Sequence, residues 1–352
     1  MRHQKRIRKL RDMMQDKRLD AIIIPSFDHS SPNLYYFTGY EDNGPNFLIM
    51  TADYEVLITM DSLRAKKKSD VKSCISIYDC RISDFLKRKG LDKGKIGIDG
   101  SVRYSFISEL KKKMPELMLE DLREDLLKIR AIKDDREIEN IRKACLASDR
   151  ILRELQHDGI IKNDIYLKRD INRRIVNLGK EWSFDTLIAG DENSSYVHYF
   201  PENSHFKKMV LIDFGIKDNQ YTSDVTRTFI FENNEKIRKA FETLVDLHHR
   251  LEDLLKPEAR AADITLFARK TLEAAGYTNT NFSNIHTLGH GVGLHEHEFP
   301  ILAERSTDII EKNMTFTLEP AIYFPGEFGI RLEDTIVMKG TGIRRLSRFP
   351  FE

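Results

Sequence analysis

Apolar positions change period several times along this chain, and each change marks an element. In the basic opening stretch, Ile7, Leu10, Met13 and Met14 fall on one side of a predicted helix. DAIIIPS (20–26) is a β-branched run with the length of a buried strand. NFLIM (46–50) and EVLIT (55–59) are joined by the polar TADY, which predicts a hairpin. KIGIDG (95–100) reads as a further strand and VRYSFISELKKKM (102–114) as a helix. Strands alternating with helices predict an α/β domain built on a central sheet.

From about residue 125 the pattern lengthens. Ile138, Ile141, Ala144, Cys145, Ser148, Ile151 and Leu152 recur at helical spacing, with acids and bases on the other positions. The domain boundary is placed just before this helix, dividing the chain into 1–128 and 129–352. The second part continues with a predicted helix over 165–178 and a strand in FDTLIAG (184–190). MVLIDFGI (209–216) and YTSDVTRTFIF (221–231) should pair antiparallel across KDNQ. Helices over 235–255 and 262–275 follow, then strands in MTFTLEPAIY and GIRLEDTIVM. No internal repeat is visible, and the fold class predicted is α/β (α+β).

A length of 352 residues suffices for two domains, each with a sizeable core. The 57 Lys+Arg nearly cancel 56 Asp+Glu, leaving +1. That balance gives no electrostatic reason to expect nucleic acid or an anionic membrane as partner. No run approaches the ~18 apolar residues of a membrane span, and the N-terminus lacks the apolar stretch of a signal peptide. Cys74, Cys80 and Cys145 form neither a CxxC motif nor an even set, which argues against disulfides and thiolate zinc. A cytoplasmic protein is the expectation.

The candidate chemistry lies in the last 140 or so residues. Asp213 interrupts the apolar VLIDFG, where a buried carboxylate is costly without a partner or a metal. Asp224 lies eleven residues on, and pairing across KDNQ would bring the two onto neighbouring strands. Of 11 histidines, His286, His290, His295 and His297 fall within twelve residues, and Gly289, Gly291 and Gly293 surround His290. The spacing is not the HExxH of zinc peptidases. Glu319 ends an apolar strand before Pro320, and alternation in IRLED puts Arg331 and Glu333 on one face. For those two residues a buried Arg–Glu ion pair is the plain structural alternative. Four carboxylates and an imidazole would together suit two hard cations about 3.5–4 Å apart and metal-assisted hydrolysis.

LIDFG, YTSDVTRTF, GHGVGLHEHE, TLEPAIY and GIRLEDT, in this order, resemble the creatinase/aminopeptidase P/prolidase family of pita-bread metallopeptidases. DAIIIPS and NLYYFTGY resemble that family's N-terminal creatinase-like domain, so the resemblance covers nearly the whole chain. It implies a creatinase-like α/β domain followed by a pita-bread catalytic domain. Asp213 would hold one metal, His290 and Glu319 the other, with Asp224 and Glu333 bridging. An oxygen-rich set with one imidazole favours Mn²⁺ or Co²⁺, with Fe²⁺ or Zn²⁺ as further options. Glu319 would also accept and shuttle a proton. His198 and His297 would face the scissile carbonyl, Arg331 would orient His297 or bind a substrate carboxylate, and His286 would form pocket wall. His295 matches no family position and is expected at the surface. The implied substrate is a proline-containing peptide, cut between its first residue and proline, and the implied assembly is a homodimer.

Two departures stand out. Gln220 replaces the family's usual Gly before Tyr221, and Ile301 stands where dipeptide-specific members carry a carboxylate-clamping Arg. Ile301 tilts the expectation towards aminopeptidase P-like action on longer peptides, with a strict Xaa-Pro dipeptidase as the alternative. A non-catalytic binding protein on the same fold would be expected to lose ligands, and this chain keeps all five.

Overall fold

The computed structural model describes residues 2–27, 31–278 and 286–351. The chain forms two compact units, Met1–Arg130 and Ala131–Glu352. The first is built on a six-stranded sheet in the spatial order Cys74–Ser76, Glu55–Thr59, Asn46–Met50, Ala21–Ser26, Lys95–Ile98, Met118–Asp121. Its centre is the β-branched run Ala21–Ser26, antiparallel to Asn46–Met50 and parallel to Lys95–Ile98. TADY closes the expected hairpin, with Met50 opposite Glu55. NLYYFTGY, for which the pattern predicted no element, supplies a short helix, Pro32–Thr38. Ser31 caps its start, and Gly39 ends it at φ 63°, a left-handed conformation that suits glycine.

In the second unit the helix Asp135–Asp158 starts at a capping box, in which Asp134 and Glu137 satisfy each other's backbone N–H. With Asp164–Asn177 it covers an antiparallel sheet of Leu187–Gly190, Met209–Phe214 and Val225–Ile230, through Ile151, Leu152, Ile171, Ile188, Val210 and Ile212. A second layer repeats this plan. Glu235–Leu254 and Ala261–Ala274 pack on a sheet containing Gly289–Gly291, Thr315–Leu318 and Asp334–Lys339. Among the described residues no helix is long and apolar enough to cross a membrane.

Four runs expected to be continuous strands are broken. Met209–Phe214 pairs with Val225–Ile230 as predicted, but the chain leaves that sheet at Gly215. A Cβ there would lie 2.0 Å from Ser183 Oγ and 2.2 Å from the Ser223 carbonyl, so only glycine fits. Ile216–Asp218 and Tyr221–Thr222 then pair around Asn219 and Gln220, both at positive φ (49° and 69°); the turn takes Gln220 in the left-handed region. MTFTLEPAIY divides at Glu319 and Pro320, and GIRLEDTIVM divides at Leu332 and Glu333. After each break the strand changes partner. Ala321–Phe324 pairs with Phe328–Arg331, whereas Thr315–Leu318 pairs with Asp334–Lys339.

Candidate metal centre

These breaks place the acidic side chains. Asp213 sits in its strand opposite Thr226 and Leu187. Asp224 immediately precedes Val225–Ile230, Glu319 follows Thr315–Leu318, and Glu333 stands between the two strands that follow Tyr323. His290 is the middle residue of Gly289–Gly291. A Cβ at Gly289 would meet the Thr317 carbonyl at 2.1 Å, so glycine permits the close backbone approach that seats the imidazole. All five line one cavity of about 400 Å³, together with His198, His286, His297 and Arg331.

Asp224, Glu319 and Glu333 are buried and Asp213 is partly so, and protein donors satisfy them only in part. Thr226 Oγ1 donates to Glu333 Oε2 at 2.6 Å, and Thr317 Oγ1 to Glu319 Oε1 at 3.1 Å. Glu319 also meets His290 Nε2 at 3.3 Å and His286 Nε2 at 3.0 Å. His290 Nε2 lies 3.8 Å from Asp224 Oδ2. Asp213 Oδ1 is buried without a hydrogen-bond partner. Asp224, His290 and Glu333 each offer a donor atom, and these atoms lie within 4.8 Å of one another.

Charge makes the same point. Burial and the neighbouring acids push Asp224 and Glu333 well above the ordinary carboxylate range, and burial raises Asp213 despite Arg331. Burial also acts against the Glu319 carboxylate, but His286, His290 and Arg331 outweigh it and draw its pKa down to about 2. Four acids crowded into a water-poor space, one with an orphaned oxygen, fit divalent cations. The donor set, oxygen with a single imidazole, suits hard or borderline metals.

His297 is tilted against His290, with ring centroids 4.2 Å apart. Lost hydration and His290 lower its pKa to about 4, so it presents a neutral imidazole at pH 7. His198 is exposed at the cavity wall. His286 is tilted against Tyr323, at 5.8 Å. Arg331 is buried and turned from the histidines towards the acids: it donates to Asp213 Oδ2, to Thr226 Oγ1 at 3.0 Å and to Tyr323 Oη at 2.8 Å. The Arg–Glu pair suggested by strand alternation is thus an Arg331–Asp213 pair, because the chain breaks before Glu333. His295 is exposed, and Ile301 is a half-exposed residue of Glu298–Leu302, outside the cavity lining.

Sequence reasoning passed over Thr226, which bonds both Glu333 and Arg331, and Tyr323. The alternation Asp224, Thr226, Thr228 on one strand face was the available signal for Thr226.

A largely buried, oxygen-rich donor set lining one cavity fits a metal centre, and comparison with known proteins agrees. The model of metallopeptidase family M24 matches residues 139–340, and that of the creatinase/prolidase N-terminal domain matches residues 6–132. This chain belongs to metallopeptidase family M24 and is a metallo-exopeptidase. Among its relatives, the Xaa-Pro dipeptidase of Pyrococcus furiosus is 28% identical over 351 residues, covering 97% of each chain. The Xaa-Pro dipeptidase of Pyrococcus horikoshii is 28% identical over 352 residues, with the same coverage. The crystal structure of the prolidase from Pyrococcus horikoshii OT3 superposes with a TM-score of 0.89 at 28% identity, covering 99% of both chains.

Proposed function

We propose that this protein is an Xaa-Pro dipeptidase, cleaving the bond between a first residue and a C-terminal proline. The observation that carries the chemistry is the set Asp213, Asp224, His290, Glu319 and Glu333 converging on one cavity. The relatives named Xaa-Pro dipeptidase, aligned over 97% of this chain, favour the dipeptide over the longer substrates that Ile301 suggested. Ile301 lies outside the cavity lining, so the side chain behind that expectation is not part of the pocket wall.

In this reading Asp213 would hold one divalent cation and His290 and Glu319 the other, Asp224 and Glu333 would be shared, and Mn²⁺ or Co²⁺ would be the preferred ions. When bound, such a pair supplies Lewis-acid activation of water and of the scissile carbonyl. Glu319, beside His286 and His290, would accept the proton released during attack. His297, neutral at pH 7, and His198 donate hydrogen bonds as negative charge develops on the carbonyl oxygen. His286 forms pocket wall, and Arg331 fixes Asp213 and Thr226. A bond to proline nitrogen has no N–H and a fixed φ, so a dedicated pocket is required. We further assign residues 1–128 to the creatinase-like domain and 129–352 to the catalytic domain, in a cytoplasmic homodimer.

Turnover of an Xaa-Pro panel against the matching Xaa-Pro-Xaa panel, after reconstitution with Mn²⁺, Co²⁺ or Zn²⁺, tests the reading. A kcat/KM higher for the dipeptides supports it. A preference for the longer peptides restores the aminopeptidase alternative.

A further inference from the structure

Behind the cavity lies a set of buried and partly buried charges that the chemistry above does not use. Strand alternation sends Thr226 to the cavity side of Val225–Ile230 and Arg227 to the opposite side. Arg227 is among the largest fully buried side chains, at 1% exposure. Its Nη1 donates to the carbonyls of Thr226 at 2.9 Å and Glu333 at 2.5 Å. Nη2 donates to Asp334 Oδ1 at 2.6 Å and to the Phe349 carbonyl at 2.5 Å. Nε reaches the carbonyls of Phe349 and Pro350 at 3.1 and 3.3 Å. One guanidinium thus joins the strand after Asp224, the residue bearing the Glu333 carboxylate, and the 347–351 segment.

The charges continue from there. Asp334 Oδ2 lies 3.3 Å from Arg345 Nη1, Arg345 Nε 2.5 Å from Glu252, and Glu252 3.0 Å from His248 Nδ1. His248 Nε2 is 3.2 Å from the carbonyl of Leu318, the residue before Glu319. Thr335 Oγ1 completes the arrangement with a 2.7 Å bond to the Asp224 carbonyl, and Ser347 Oγ donates to Asp334 Oδ1 at 2.7 Å while accepting from Thr335 N at 3.0 Å. His248, Glu252 and Asp334 have donor atoms as close together as a cation site requires. Two guanidinium groups already engage those carboxylates, so the cluster is an ion-pair network.

Buried ion pairs contribute little net stability compared with apolar packing, because desolvation offsets their attraction. What they do supply is fixed geometry. Groups that orient metal ligands from behind typically change metal affinity roughly 10–100-fold when removed. This network holds the backbone at three ligands, Asp224, Glu319 and Glu333.

We propose that Arg227 is a positioning residue for the metal centre: with the 347–351 segment it sets the separation of Asp224 and Glu333, and Asp334, Arg345, Glu252 and His248 extend that hold to Glu319. The inference rests on reading those carboxylates as ligands. The test is calorimetric titration of the full-length metal-free protein with Mn²⁺, comparing wild type, Arg227→Lys and Ser347→Ala, with circular dichroism of each. Lysine keeps the charge but loses the planar fork that spans three segments. We expect Arg227→Lys to bind Mn²⁺ at least roughly 10-fold more weakly, with the shared-ligand pair no longer filled together, while its far-ultraviolet spectrum is unchanged. Ser347→Ala should shift the midpoint in the same direction by less. A merely structural role would lower the metal-free melting temperature and leave the Mn²⁺ midpoint in place; that result overturns the proposal. Should Arg227→Lys not fold, a wild-type midpoint in Ser347→Ala overturns it instead. A wild-type protein that binds no Mn²⁺ removes the ligand reading and this inference together. Normal wild-type binding with unshifted variants removes the inference alone.

Discussion

Lys133 and Glu298 form an ion pair at 3.2 Å in which both side chains are 1% exposed, and it supports the segment that presents His297. Glu298 Oε1 accepts the His295 N–H at 3.1 Å, and a Cβ on Gly293 would meet Glu298 Oε2 at 2.5 Å, so the carboxylate packs directly under residues 291–298. At that separation the attraction is about 5 kcal/mol for an effective dielectric near 20. Desolvation offsets much of it, yet removing one partner of a buried pair costs about 3–5 kcal/mol. Lys133→Met keeps the length and apolar stem of the side chain while removing the charge. In a unit of this size each kcal/mol lowers Tm by roughly 2–4 °C, so the expected loss is roughly 6–20 °C. Glu298→Gln should lose a comparable amount. Lys133→Met/Glu298→Gln should lose less than the two together, with a coupling of at least about 1.5 kcal/mol. Thermal melts of the four proteins at one ionic strength give the cycle. Single losses that add within about 0.5 kcal/mol would refute the argument, because they would show that the two charges do not depend on each other.

Further outcomes follow from the same geometry. Asp224→Asn should lower metal-dependent turnover by more than the roughly 10–100-fold typical of groups behind a ligand; full activity with normal Mn²⁺ stoichiometry would sink its assignment as a shared ligand. Thr226→Val removes the hydroxyl bonded to Glu333 and Arg331, and equilibrium dialysis should show weaker Mn²⁺ retention, by roughly 10-fold. Gly289→Ala would force a methyl to 2.1 Å from the Thr317 carbonyl; a stability loss of at least about 2 kcal/mol is expected in denaturant melts, and a silent substitution would contradict the close approach. Burial works against the Glu252 carboxylate, but hydrogen bonds from His248 and Arg345 more than reverse it and hold its pKa below 4.5. A depressed folded value means that Glu252 contributes stability above the unfolded pKa and loses it as pH falls through the folded one. The Tm gap between wild type and Glu252→Gln should therefore narrow as pH falls below about 4.5; a gap unchanged at pH 3 argues against the pairing.

Element positions were largely legible because apolar spacing reflects which side of an element is buried. The helices expected over 165–178 and 235–255 are Asp164–Asn177 and Glu235–Leu254. Periodicity could not show where a strand exchanges one neighbour for another. IRLE alternates and TIVM continues as an apolar run, yet Phe328–Arg331 belongs with Ala321–Phe324 and Asp334–Lys339 with Thr315–Leu318. That exchange turns Arg331 from Glu333 to Asp213, a partner 118 residues away in sequence. Lys133 and Glu298 were illegible for a related reason. Each lies in a polar stretch with exposed residues close by, and only the tertiary fold sets these two apart as buried. The two helix-on-sheet layers of the second unit left no sequence repeat, since such packing demands a pattern of apolar positions rather than particular residues.

The five candidate ligands were easier to find than their neighbours because chemistry restricts residue type where packing does not. Many apolar side chains can fill Ile212 or Leu318, whereas a hard-cation site accepts carboxylates and an occasional imidazole. The fold then explains why these acids stand beside glycine, proline or a strand end. Regular alternation would carry successive side chains to opposite faces of one sheet. Ending a strand at Glu319, resuming one after Asp224 and changing partners across Glu333 releases each carboxylate from that alternation, so that side chains from separate strands meet at one point. Thr226 and Arg227 show the division of labour on one strand, with the hydroxyl reaching Glu333 from the cavity side and the guanidinium holding its backbone from behind.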